Sequence, residues 1–218
     1  GGTTQELLAI NSPDDLSQRT LALRTSGGNT VYMNNAELSD GRLGGLLAFR
    51  DEVLTPSLKD LGRIAITLAD QFNSQHVQGF DLDGNAGVDF FNAADGMLRT
   101  PVANTANTGT APTLGLSLAN PASLTSSDYQ MVFAGGNYTV TRLSDNSVMG
   151  SVPAAGGSLV FDGLTLNIAG GTPANGDRWL MRPTMFAAAD LSVNVGSAEQ
   201  IAAAGGVGVS NGRGDNSN

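Results

Sequence analysis

Leu43-Gly-Gly-Leu-Leu-Ala-Phe-Arg-Asp-Glu-Val-Leu54 runs on through Thr55-Pro-Ser-Leu-Lys-Asp-Leu-Gly-Arg-Ile-Ala-Ile-Thr-Leu-Ala-Asp-Gln-Phe-Asn-Ser-Gln75, and this stretch decides the fold. Leu47, Leu54, Leu58, Leu61, Ala65, Leu68 and Phe72 recur at steps of seven, four and three, which places them in one stripe along a long helix. Pro56 interrupts the pattern, because it has no amide to close the turn behind it. The helix therefore either bends there or restarts with Thr55 as its N-cap, and the unbroken stripe favours one slightly bent helix ending by Gly79.

Upstream, Leu21, Leu23, Val31 and Met33 alternate with polar residues on either side of Ser26-Gly27-Gly28-Asn29, a β-hairpin pattern over residues 19–42. Downstream, Asp81-Leu-Asp-Gly-Asn-Ala-Gly87 is a loop by composition. A Thr-, Asn-, Ala-, Gly- and Pro-rich stretch covers 100–120. It is followed by short β-patterned runs at Tyr129–Ala134, Tyr138–Leu143, Ser147–Val152, Ser158–Phe161, Leu164–Ile168 and Arg178–Arg182. Their Gly-Gly, Asp-Asn and Asn-Gly connections predict antiparallel pairing. After Pro183 the pattern turns helical again, with Ser197-Ala-Glu-Gln200 as a capping box before Ile201 to Ala204.

These elements predict an α+β chain. A discontinuous helical domain, residues 1–87 and 187–218, holds the long helix and the small β-hairpin, and an antiparallel β-rich domain, residues 88–186, is inserted into it. The apolar stripe requires cover. The nearest apolar partner is the segment around Ile201–Ala204, helped by residues 5–10, so Leu61→Ala should cost about 2–5 kcal/mol as a buried truncation.

With 218 residues and 40% hydrophobic content the chain can bury a real core. Eleven basic residues, scattered singly from Arg19 to Arg213, face 20 acidic ones for a net charge of −9. Nucleic acid and anionic membrane are therefore poor partners. The absence of Cys excludes disulfides, thiolate zinc sites and cysteine nucleophiles. The chain opens on Gly1-Gly2 without an initiator Met or signal segment, and reads as an excised piece.

Asp81, Asp83 and Asn85 have the first spacings of a calcium loop. Ala86 replaces its Gly and Asn92 its closing Glu, so the loop reading prevails. His76, the sole His, has no Gly-x-Ser-x-Gly elbow to serve and reads as a surface or helix-end residue suited to the C-terminal dipole. The neighbouring carboxylates Asp51-Glu52 and Asp14-Asp15 point apart and read as solvated faces or first-turn dipole partners. Arg213-Gly-Asp215 matches an adhesion tripeptide but lies in a Gly-, Asn- and Ser-rich tail. No catalytic, cofactor-binding or metal site is predicted, and the chain is read as a non-enzyme.

Gly41-Arg-Leu-Gly-Gly-Leu-Leu-Ala-Phe-Arg-Asp-Glu-Val-Leu54, Pro56, Leu61-Gly62, Ala69-Asp-Gln-Phe-Asn-Ser-Gln-His-Val-Gln-Gly-Phe-Asp-Leu-Asp-Gly84 and Phe90-Phe91 closely resemble the core of the flagellar hook-associated protein 1 family. Asp162-Gly-Leu before Gly176-Asp177 fits that family's β domain. The resemblance implies a structural, extracellular axial component of the bacterial flagellum, exported through the flagellar channel and joining hook to filament. Its implied partners are the hook protein and the neighbouring junction protein. Self-association would run through terminal helices outside this sequence, leaving the chain given monomeric in dilute solution. The alternatives are another axial protein, such as the hook protein or the neighbouring junction protein, or a secreted adhesin or carbohydrate-binding module with Trp179, Tyr129 and Tyr138 as stacking residues. Trp179 fits better as a strand residue packed in the β core.

Overall fold

A computed structural model describes residues 5–16, 18–33 and 40–203. The predicted long helix runs without a break from Gly41 to His76, as α1 (Gly41–Ala48), a π-helical segment (Phe49–Leu54) and α2 (Thr55–His76). Ala48, Phe49, Leu54 and Thr55 all keep right-handed helical angles, so one helix passes through the proline. Pro56 cannot donate to the turn behind it, and the preceding residues unwind to wider i→i+5 winding there. Val77 and Gly79 close the end, donating to Asn73 O and His76 O.

The buried face of α2 shares only Ala65 with the predicted stripe. Gly62, Ala65, Ile66, Ala69, Asn73 and His76 are buried, whereas Leu54, Leu58, Leu61, Leu68 and Phe72 are exposed, Leu61 at 53%. The periodicity identified an apolar sector wider than the contact it makes. Small residues won the contact because backbone approaches there: a Cβ on Gly62 would lie 1.7 Å from the Thr184 carbonyl oxygen.

Strands β2 (Arg19–Arg24) and β3 (Thr30–Tyr32) form the predicted hairpin, and β1 (Glu6–Asn11) adds an antiparallel edge to β2, from Glu6 opposite Arg24 to Asn11 opposite Arg19. Residues 6–11 are thus a strand and not a cover for the helix. The β-rich region contains β4 (Val102–Ala103), β5 (Thr113–Leu118), β6 (Tyr129–Ala134), β7 (Asn137–Arg142), β8 (Val148–Pro153), β9 (Gly157–Phe161), β10 (Leu164–Ala169) and β11 (Arg178–Met181). They pair antiparallel in two sheets, β5-β10-β9 and β4-β11-β6-β7-β8. The alternation of Tyr129, Met131 and Phe133, and of Leu164, Leu166 and Ile168, turns one face of each sheet into a common core.

Ile66 and Ala69 of the helix belong to that same core, as does Ala187. The helix and the β-rich region therefore share buried surface. The chain enters and leaves the β region side by side. Asn92 N donates to Ser192 O at 2.9 Å, Asn194 N to Phe90 O at 2.7 Å, and Phe91 bridges Val193 antiparallel.

The predicted C-terminal helix is not formed among the described residues. After Pro183 there is one α-turn, α3 (Ala187–Asp190), and then a single 3-10 turn, Ala198–Gln200. The Ser197 side chain makes no capping bond, and Gln200 Oε1 instead accepts the Gly196 N–H at 2.7 Å. Ala204 lies outside the described residues.

Candidate functional site

The long helix presents a continuous apolar strip that nothing in the described chain covers. Leu46, Phe49, Val53, Leu54, Leu58, Leu61, Ile64 and Leu68 are each more than a third exposed, and Ile64 reaches 58%. Arg63, Ile64, Thr67, Leu68 and Gln71 line a shallow groove along it. Exposed single leucines are ordinary, but a row of them along one helix marks a contact surface. Beside the first part of the helix Arg42, Arg50, Lys59 and Arg63 are mixed with Asp51, Glu52 and Asp60, whereas no Lys or Arg occurs between Arg63 and Arg99, where Asp70 and, beyond the helix, Asp81, Asp83 and Asp89 lie.

The groups weighed as sites all have structural tasks. Asp81 organises its own loop: Oδ1 accepts the N–H groups of Asp83 at 3.0 Å and Asn85 at 2.8 Å, and Oδ2 accepts Asn85 Nδ2 at 3.3 Å. The Asn85 amide, the largest of these influences, helps hold its carboxyl below the usual carboxylate value. Backbone N–H groups thus occupy Oδ1 of Asp81, and the Asn85 side chain occupies Oδ2. His76 is at the helix end as expected but is buried, its ring bonded to backbone on both sides.

Asp14 and Asp15 are not solvated faces. Asp14 accepts from Asn104 Nδ2 at 2.6 Å and Arg178 Nε at 3.1 Å, and Asp15 pairs with Arg182 at 2.8 Å. Arg182 continues to Asp128 at 3.4 Å, and Asp128 pairs with Lys59 at 2.7 Å. A charge chain therefore ties the residues before β2 to the β region and the helix. Asp51 pairs with Arg50 at 2.7 Å on the π segment. Trp179, Tyr129 and Tyr138 are buried, with Trp179 and Tyr138 ring centres 5.9 Å apart, so none can stack on a sugar. Arg213-Gly-Asp215 lies outside the described residues.

Among the buried polar groups to which the sequence reading gave no role are Asn73 and Asp177. Asn73 accepts the Phe91 N–H at 2.8 Å and donates to Phe91 O at 3.0 Å, pinning the entry strand to the helix. Asp177 accepts backbone N–H groups of Thr108, Gly109 and Ala174 at 2.9, 3.0 and 2.9 Å. Burial raises its carboxyl pKa, but the three donors outweigh that and hold it below the usual value. An Asn inside an apolar helical face was the legible sign of the first; the Gly176-Asp177 turn gave none for the second.

Comparison with known proteins follows this geometry. Residues 1–91 match the family model described as the helical domain of flagellar hook-associated protein FlgK, and residues 102–183 match the D2-like domain of flagellar hook-associated protein 1. The chain belongs to the flagellar hook-associated protein 1 family. Relatives of that name in Salmonella typhimurium and Escherichia coli K12 are each 33% identical over 204 residues, covering 94% of this chain and 36% of theirs. The solved flagellar hook junction protein FlgK of Burkholderia pseudomallei superposes with a TM-score of 0.78 at 33% identity, covering 93% of this chain and 37% of the other. The chain thus spans just over a third of the length of its hook-associated protein 1 relatives. The two family models part between Phe91 and Val102, close to the paired entry and exit strands.

Proposed function

We propose that the chain is part of a non-enzymatic, axial component of the bacterial flagellum that joins the hook to the filament. The supporting observation is the uncovered apolar strip along the Gly41–His76 helix, carried on a β-braced body in a family whose members are named for the hook. At about 1.5 Å per residue such a helix is a stiff strut. Packed side by side with other helices through the strip, it can pass torque along a column without any pocket or chemistry.

On this reading the strip is covered by helices from the rest of the polypeptide and from axial neighbours. The hook protein and the neighbouring junction protein are its partners, reached after export through the flagellar channel. The division into residues 1–87 with 187–218 and an insert at 88–186 is kept as a proposal. It is supported by the hydrogen-bonded segments that meet at the Phe91–Val193 bridge and by the bidentate Arg99–Asp190 contact at 3.0–3.1 Å beside them. In dilute solution the chain is expected to be monomeric, its charge of −9 opposing contact. Association at higher concentration should begin at the strip.

The test is genetic. The full-length parent should restore filament growth to a strain lacking its junction protein, and failure to restore it sinks the proposal.

A further inference from the structure

The helix end, the loop after it and the C-terminal segment meet at one imidazole. His76 is 5% exposed, its Nδ1 lies against the Val88 carbonyl oxygen, and its Nε2 accepts the Ala202 N–H at 2.9 Å, across 126 positions of sequence. Phe72 and Phe90 flank the ring, with centres 6.1 and 5.5 Å away. Packing at the junction is close: a Cβ on Gly87 would lie 2.1 Å from His76 O and 2.7 Å from Ala202 Cβ. An Nε2 that accepts carries no proton, so the geometry assigns the proton to Nδ1, which donates to Val88.

We propose that His76 is a proton-sensitive latch: the neutral ring holds the segment at Ala202 against the helix end, and the protonated ring releases it. An imidazolium has two N–H groups and no acceptor, so protonation sets Nε2–H against the Ala202 N–H in a buried place. Lys59 and Arg63 lie more than three turns back along the helix, and the charged groups nearer the ring or Ala202 in sequence are acidic: Asp70 on the same helix, Asp81 and Asp83 in the loop, Asp89 beside Val88, and Glu199 in the C-terminal turn. Leu82 N–H also donates to Glu199 O at 3.1 Å, so the loop shares the release. Asp81 and Glu199 have carboxyls held below their usual values by hydrogen bonds, chiefly from Asn85 and Ser197. The acceptor that holds Ala202 is Nε2 of the ring, and the switching group is therefore the ring.

The experiment follows the His76 ring and the Ala202 amide of the 218-residue chain by NMR from about pH 8 to pH 5. Ring protonation is expected to coincide with a fall of about tenfold or more in Ala202 amide protection, corrected for intrinsic exchange. The Thr108 and Gly109 amides, bound to Asp177, should stay protected. His76→Gln, whose amide can accept from Ala202 and donate to Val88, should keep protection nearly constant over this range. A ring that stays neutral to pH 5, Ala202 protection that survives ring protonation, or an equal loss in His76→Gln would each overturn the latch.

Discussion

Leu61 and Ile66 stand five residues apart on one helix and should respond oppositely to truncation. Leu61 is 53% exposed, so Leu61→Ala is expected to cost less than about 1 kcal/mol, whereas Ile66→Ala empties a fully buried site and should cost about 2–5 kcal/mol. Urea unfolding of the two variants separates them, and equal costs would mean the helix is rotated from the orientation described. Asp177 offers a residue-level pH test. Its folded-state carboxyl lies below the ordinary value, so it stabilises the fold above about pH 4 and loses that contribution as pH falls through the depressed folded value. Asp177→Ala leaves three backbone donors without their acceptor and should cost about 2–5 kcal/mol at neutral pH. The variant should also show a shallower loss of stability on acidification than the parent chain, measured by thermal melts from pH 7 to about pH 3.

The elements themselves were largely legible in the sequence. The long helix, the β2–β3 hairpin and the six strands from Tyr129 to Met181 follow from period and turn residues alone. Which face of the helix is buried did not, because Leu54, Leu58, Leu61 and Leu68 form the stronger apolar signal, while the contact is made by Gly62, Ala65 and Ala69. A close backbone approach selects small residues, and the hydrophobic periodicity registered Ala65 but neither Gly62 nor Ala69. Strand β5 was hidden in a Thr-, Gly- and Pro-rich stretch because its cover comes from β10, far along the chain. The capping-box pattern at Ser197 failed since a cap needs a helix with something to pack on, and that segment ends as a 3-10 turn held by His76. The π segment makes its own prediction. Deleting Glu52, an exposed residue within it, should convert the segment to regular α-helix and leave Gly41–Ala48 facing nearly as before relative to α2, because five α-wound residues turn the helix through about as much as six π-wound ones. The melting temperature of the 218-residue chain should change by only a few degrees, and the same deletion in the full-length parent should still support filament growth. A parent that no longer supports growth would show that the wide turn itself is needed.

At the scale of the whole molecule, the shared core decides how separable the parts are. Replacing residues 88–186 with a short Gly/Ser linker removes Met97, Leu98 and Leu124 from the cluster that contains Ile66 and Ala69, along with the Thr184 backbone against Gly62. Such a protein is expected to lose much of its helix signal by circular dichroism or to associate, in contrast to the self-sufficient helical domain that the sequence pattern suggests. On the proposed function, the exposed strip, and not any pocket or charged cluster, is the working surface of this chain. The most direct measurement is filament growth in a junction-deficient strain supplied with the full-length parent carrying Leu61→Asp and Leu68→Asp. The account predicts that the 218-residue chain with these substitutions melts within a few degrees of the unaltered chain, while the substituted parent fails to support filaments. Full filament growth by the substituted parent would contradict the account.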